Sequence, residues 1–145
     1  YYTSGGADLT DEERGPWPMQ TEIREETAEE AQAAMDPPPQ YEIREDEPLI
    51  TKHTPSAFFD SPLPDLLEER GVDTVVLTGV VTSCCVRASV TDAFAHGYRV
   101  VLPEDCVADR RPAAHAFHMA EMDAKFADVA ADRRVTEYLA DSERA

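Results

Sequence analysis

Lysine is nearly absent from this chain: of 13 basic residues among 145, only Lys52 and Lys125 are lysines. Acidic residues are abundant by contrast, 30 of them, and the net charge is −17. Such a surface repels nucleic acid and anionic membranes, so neither is expected as a partner. Acid excess with scarce lysine is the pattern of a surface adapted to high salt, where screening removes self-repulsion. The expectation is an extreme halophile's cytoplasm, with an ordinary acidic surface as the alternative. Long apolar runs are also missing. None approaches the ~18 residues that a membrane-spanning helix needs. Cysteine is sparse, at three, and two of the three are adjacent. That is a poor disulfide framework and suits a reducing compartment.

What is present suits one domain over residues 1–145, since 42% hydrophobic composition at this length can bury a core. Residues 1–48 are polar, acidic and proline-bearing, whereas 49–140 alternate apolar runs with helical periods. The stretch from Glu22 to Met35 reads as an acidic surface helix ended by Pro37, Pro38 and Pro39. Tyr1-Tyr2-Thr3 reads as the end of a strand, with the expectation that part of the domain lies upstream.

From Pro48 the pattern is regular. Pro48–Thr51 reads as a short strand, and Ser61-Pro62 as the cap and first-turn proline of a helix closing at Gly71. Asp73–Thr78 has the near-continuous apolar character of a parallel strand. Thr82 or Ser83 caps the next helix, with Val86, Val90, Ala93 and Phe94 as its apolar stripe and Gly97 as its stop. Tyr98–Leu102 is a strand, Pro112–Lys125 a helix, Phe126–Val129 an edge strand and Val135–Leu139 a final helix. The order β-α-β-α-β-α implies an α/β class, with a three-layer α/β/α arrangement on a parallel, Rossmann-like sheet.

Cys85 ends the run Val75-Val76-Leu77-Thr78-Gly79-Val80-Val81-Thr82-Ser83-Cys84-Cys85, a buried strand followed by a tight turn and the start of a helix. Helix N-termini offer unpaired N–H groups and a positive dipole end, which favour thiolate over thiol. A buried, inert cysteine filling the helix–sheet seam is the other reading of the position. Three polar features fall at the ends of the expected strands: Lys52, Thr82–Cys85 and Asp105–Arg110. Parallel strands share one rim at their carboxyl ends, so these features can converge in one crevice. There Lys52 could hold the Cys85 thiolate by charge.

The residues Lys52-His53-Thr54-Pro55-Ser56-Ala57-Phe58-Phe59, Gly71-Val72-Asp73-Thr74, Thr78 through Ser89, Asp92-Ala93 and Gly97-Tyr98 resemble the isochorismatase-like cysteine hydrolases. The likeness runs from about Leu49 to Val129. Val86–Ser89, Pro103–Arg110 and Asp123–Val129 look most like the branch of N-carbamoylsarcosine amidases and maleamate amidohydrolases, which hydrolyse C–N bonds of small amides.

The resemblance implies an Asp–Lys–Cys triad in which Cys85 is the nucleophile and Lys52 the adjacent cation. Attack on an amide carbonyl would release ammonia or an amine and leave a thioester for water to hydrolyse. It further implies a cis Val80–Val81 peptide, with the Val81 and Cys85 N–H groups facing the oxyanion. Thr82 would line the site, and Arg110 would pair with a substrate carboxylate; a surface partner for one of the many acids is the second reading of Arg110. The substrate class implied is a small amide, and a homo-oligomer is expected. The family's triad Asp lies in an Asp-x-Gln pattern that nothing here matches, and Asp8 and Asp11 do not take its role. The chain is therefore expected to be either an N-terminally truncated hydrolase or an inactive fragment. A non-catalytic scaffold and a Cys84–Cys85 redox pair are the rivals. The metal-binding Asp and His cluster of the nicotinamidase branch has no counterpart, and His115 with His118 supplies two ligands where a site needs more. No metal and no cofactor are expected.

Overall fold

The computed structural model describes residues 43–52 and 54–142. The helix expected over Glu22–Met35, the strand end at Thr3, Asp8, Asp11 and His53 lie outside the described residues. The chain divides into two units, Tyr1–Thr54 and Pro55–Ala145.

In the first unit, Arg44 and Glu47 close a turn through their backbones at 3.0 Å. The strand expected over Pro48–Thr51 does not form; Lys52 alone makes a β-bridge. The cause is local. Pro48 lacks a donor, and the two apolar residues that follow are too few to anchor a ladder, with Leu49 largely exposed. Lys52 is 8% exposed, and its Nζ donates to the Thr54 carbonyl at 2.8 Å.

The second unit is built as α1 (Leu63–Glu69), β1 (Thr74–Val76), β2 (Gly79–Val80), a π-helical turn (Thr82–Val86) running into α2 (Arg87–Ala95), and β3 (Arg99–Pro103). A 3-10 turn (Glu104–Cys106), β4 (Val107–Ala108), α3 (Pro112–Lys125), β5 (Asp128–Ala130) and α4 (Asp132–Ser142) complete it. Ser61 begins α1 by accepting the Leu63 N–H at 3.2 Å. Pro112 opens α3, where a missing donor costs nothing.

Every described strand pairing is parallel. β3 is central, with Val75 opposite Val100 in β1 and Leu102 opposite Val129 in β5. β2 pairs with β4, Val80 lying opposite Ala108. The apolar run expected as one strand, Asp73–Thr78, is thus shorter and is followed by a second strand in a separate pair. Gly79, at φ +124°, is where the chain steps from one ladder to the other.

Helices and parallel strands share one core. Val90 and Ala93 of α2, Leu102 of β3 and Met122 of α3 are fully buried and join Phe58, Val86, Val100 and Val107. Burying each large apolar side chain here contributes roughly 1.5–3 kcal/mol. Ser89 ties in the loop before α1 by accepting the Ala57 N–H at 2.9 Å. Phe94 departs from the expected stripe: it is half exposed, and its ring meets the edge of Phe126 at 5.6 Å. At the end of α2, the drift of a 3.6-residue period carries position 94 past the sheet-facing side that Val86, Val90 and Ala93 occupy. No described helix is long and apolar enough to cross a membrane.

Candidate active site

The carboxyl ends of β2 and β4 lie side by side because Val80 is opposite Ala108. The segments leaving those ends, Val81–Cys85 and Asp109–Arg111, therefore share one rim, the usual ligand-facing rim of a parallel sheet. The Val80–Val81 peptide is cis.

Cys85 sits in the π-helical turn that opens α2 and is 8% exposed. The Val81 carbonyl accepts N–H groups from Cys84 at 3.0 Å and from Val86 at 3.3 Å, so its bonds bypass the N–H of Cys85 between them. The second of these spans five residues, which defines the π geometry, and single π turns recur at functional positions. Cys84 and Cys85 are not joined in a disulfide: their sulfurs lie 4.0 Å apart, about twice the length of such a bond.

Neither Thr82 nor Ser83 caps this turn through its side chain. The cap comes from elsewhere. The Ser83 N–H donates to Asp109 Oδ2 at 2.8 Å, and the Arg111 N–H, at the start of α3, donates to Asp109 Oδ1 at 3.0 Å. One carboxylate thus satisfies donors at two helix N-termini, where negative charge is favoured. The Ser83 side chain, the N–H groups of Arg111 and Ser83, and the nearby His115 together hold the Asp109 carboxyl down to about 2. Thr82 is fully buried, and its hydroxyl shares a 2.8 Å hydrogen bond with His115 Nδ1. Sequence reasoning put Asp109 on this rim only as one of the residues 105–110, without a role, and missed His115 there. The visible signal was an Asp shortly before the helix-opening proline, a common capping position.

Of the residues singled out from sequence, the structure brings Thr82 and Cys85 together with the 105–110 segment. Arg110 is exposed and makes no ion pair among the described residues. His115 and His118 part company: His118 Nδ1 lies 3.3 Å from Glu121 Oε2, while His115 turns to Thr82. Glu121 also receives Arg87 at 2.9 Å and Lys125 at 3.3 Å, and these partners, Arg87 foremost and then His118, lower its carboxyl to about 2. Among the described residues, no group of three or more His, Cys, Asp or Glu could hold a metal ion.

Known proteins share this arrangement of sequence and fold. Over 83 residues the chain is 45% identical to maleamate amidohydrolase of Pseudomonas putida, covering 57% of this chain and 39% of that protein. Over 93 residues it is 36% identical to N-carbamoylsarcosine amidase of an Arthrobacter species, covering 64% of this chain and 35% of that protein. The chain thus spans well under half the length of these curated relatives. The crystal structure of an isochorismatase-like hydrolase from Alkaliphilus metalliredigens superposes with a TM-score of 0.68 at 34% identity, covering 70% of this chain and 56% of that one. The isochorismatase domain model matches residues 10–133, most of the chain, and with its parallel α/β fold the chain belongs to the isochorismatase domain family.

Proposed function

We propose that this domain is a cysteine hydrolase that cleaves a C–N bond of a small amide through a thioester. The observation that carries the reading is the position of Cys85, in the first turn of a helix that leaves the carboxyl end of a parallel strand. Cys85 Sγ attacks the amide carbonyl carbon, the C–N bond breaks with a proton passing to the departing nitrogen, and water then cleaves the thioester to regenerate the thiol. The Cys85 and Val81 N–H groups are the donors to the developing oxyanion. The Val81 carbonyl's bypassing of the Cys85 N–H supports that assignment. Lys52, one of two lysines in the chain and 8% exposed, supplies the cation for the thiolate.

Thr82 lines the site. Arg110, exposed and without an ion pair among the described residues, receives a substrate carboxylate, in keeping with the carboxylated amides named for the two relatives. The proton-accepting carboxylate of the triad has no match in residues 1–145, and the proposal places it on an upstream segment of the same domain. The working form is a cytoplasmic homo-oligomer in a salt-rich cell. The second reading, a non-catalytic scaffold of the same fold, is favoured by that unmatched carboxylate.

The test is ammonia release from a panel of small amides, carboxylated ones included, in molar salt. The chain, its Cys85→Ala variant and a form extended upstream to an Asp-x-Gln segment are compared. Activity in the extended form that disappears with Cys85→Ala establishes the hydrolase. Silence of every form across the panel favours the scaffold.

A further inference from the structure

The turn that carries Cys85 has no side-chain cap of its own. It is held instead by two residues from the segment that follows β4. Asp109 Oδ2 takes the Ser83 N–H at 2.8 Å while Oδ1 takes the Arg111 N–H at 3.0 Å, and His115 Nδ1 meets the fully buried Thr82 hydroxyl at 2.8 Å. Thr82 and Ser83 are the two residues immediately inside the turn, so both clamps act within three positions of the thiol.

We propose that Asp109 and His115 are positioning residues that fix the Cys85 turn on the rim, coupling it to the start of α3. The inference deepens the hydrolase reading and rests on Cys85 being its nucleophile. The physical argument is one of rigidity. A π turn leaves more unpaired N–H groups than an α turn, and β2 beneath it is only two residues long. Without an external clamp, the sulfur would sample positions away from the line of attack, and a displacement of about 1 Å costs on the order of 100-fold in rate. Asp109 touches no reacting atom; its effect passes through the Ser83 amide and side chain.

Elsewhere the molecule offers a built-in control. Asp123 Oδ1 accepts the Val129 N–H at 3.1 Å, the same kind of carboxylate-to-backbone bond placed at the start of β5 instead of at the Cys85 turn. Amide hydrogen exchange on the folded chain, read on peptides covering Val80–Arg87, reports the clamp without any substrate. Asp109→Ala and His115→Ala are expected to speed exchange there about tenfold or more, with β3 and α3 core peptides unchanged. His115→Asn, whose amide can stand where Nδ1 stood, is expected to recover most of that protection. Asp123→Asn is expected to leave these peptides as in the parent chain. If Asp109→Ala does not fold, Asp109→Asn, which keeps one acceptor, gives the same comparison.

With an amide that the upstream-extended form hydrolyses, the Asp109 and His115 variants of that form are expected to lose kcat by about 10- to 100-fold while KM stays within about threefold. Exchange at Val80–Arg87 unchanged in both alanine variants overturns the inference. So does an equal loss of kcat in Asp123→Asn, which would mark a general loss of stability. If the upstream-extended form as well as the chain is inert toward every amide while the turn loosens on Asp109→Ala, the hydrolase reading falls and the clamp stands.

Discussion

The Thr82 hydroxyl and His115 Nδ1 lie 33 positions apart in the chain and 2.8 Å apart in space, with Thr82 completely shielded from water. A buried hydroxyl needs such a partner, because leaving either group unsatisfied costs about 1–3 kcal/mol. Thr82→Val keeps the shape and removes the bond. The expected result is a fall in the thermal midpoint of several degrees, roughly 2–8 °C for a loss of that order, with Thr82→Ser much closer to the parent. A melt followed by circular dichroism checks it.

Leu102 occupies the middle strand of the three and is fully buried in one core with Val90 and Ala93 of α2 and Met122 of α3. Leu102→Ala is expected to cost about 2–5 kcal/mol, the sum of lost transfer energy and a residual cavity. The comparable truncation at Leu49, largely exposed, should change stability by less than about 0.5 kcal/mol. Urea denaturation at constant salt measures both.

Asp109 and Glu121 are both held down to about 2 in the folded chain, from ordinary values of 3.8 and 4.5. A lowered folded-state value means the unfolded chain binds protons first. The stabilisation from each is therefore complete above its ordinary value and is lost as pH falls toward about 2. The urea midpoint should decline across that acid window. Glu121→Gln, which abolishes the charge that draws in Arg87, His118 and Lys125, should flatten the decline while lowering the plateau near neutrality.

Arg110 is exposed and without an ion pair among the described residues, so its replacement should leave the fold intact. If it receives a substrate carboxylate, Arg110→Gln raises KM for carboxylated amides by about tenfold or more and leaves uncharged amides unaffected, since a hydrogen bond to a charged group is worth about 1.5–3 kcal/mol. Equal effects on both substrate kinds would remove that role.

A net charge of −17 predicts a strong response to salt. Raising the salt from 0.1 to 1 M shortens the screening length from about 10 Å to about 3 Å, and the thermal midpoint should climb with it. A midpoint that is flat or falling over this range counts against adaptation to a salt-rich cytoplasm.

The elements whose boundaries were written locally were legible in the sequence. Pro112 and Lys125 bound α3 both in pattern and in structure, because a first-turn proline and a 3.6-residue period are properties of neighbouring residues. Cys85 was placed correctly at the start of a helix for the same reason. The cap of that helix was not legible, because its carboxylate comes from 26 positions downstream. His115 and His118 were set aside as too few for a metal site, and helical spacing gave no sign that the partner of His115 is a hydroxyl on another element. Periodicity could not distinguish a π opening from an α one, and two apolar residues after Pro48 read as a strand where the structure forms only a β-bridge at Lys52.

Gly79 moves the chain off the three-stranded ladder before the Cys85 turn begins, so that turn stands on a ladder of two residues per strand. The arrangement separates durability from adaptability. Changes at the exposed Val80, Ala108 or Arg110, outside both the core and the Asp109 and His115 clamp, can alter the rim while the buried interface of β3, α2 and α3 is left alone. In directed evolution these exposed positions of the short strand pair and its rim are accordingly the ones to randomise, with Leu102, Val90, Met122 and Val107 kept as the invariant frame.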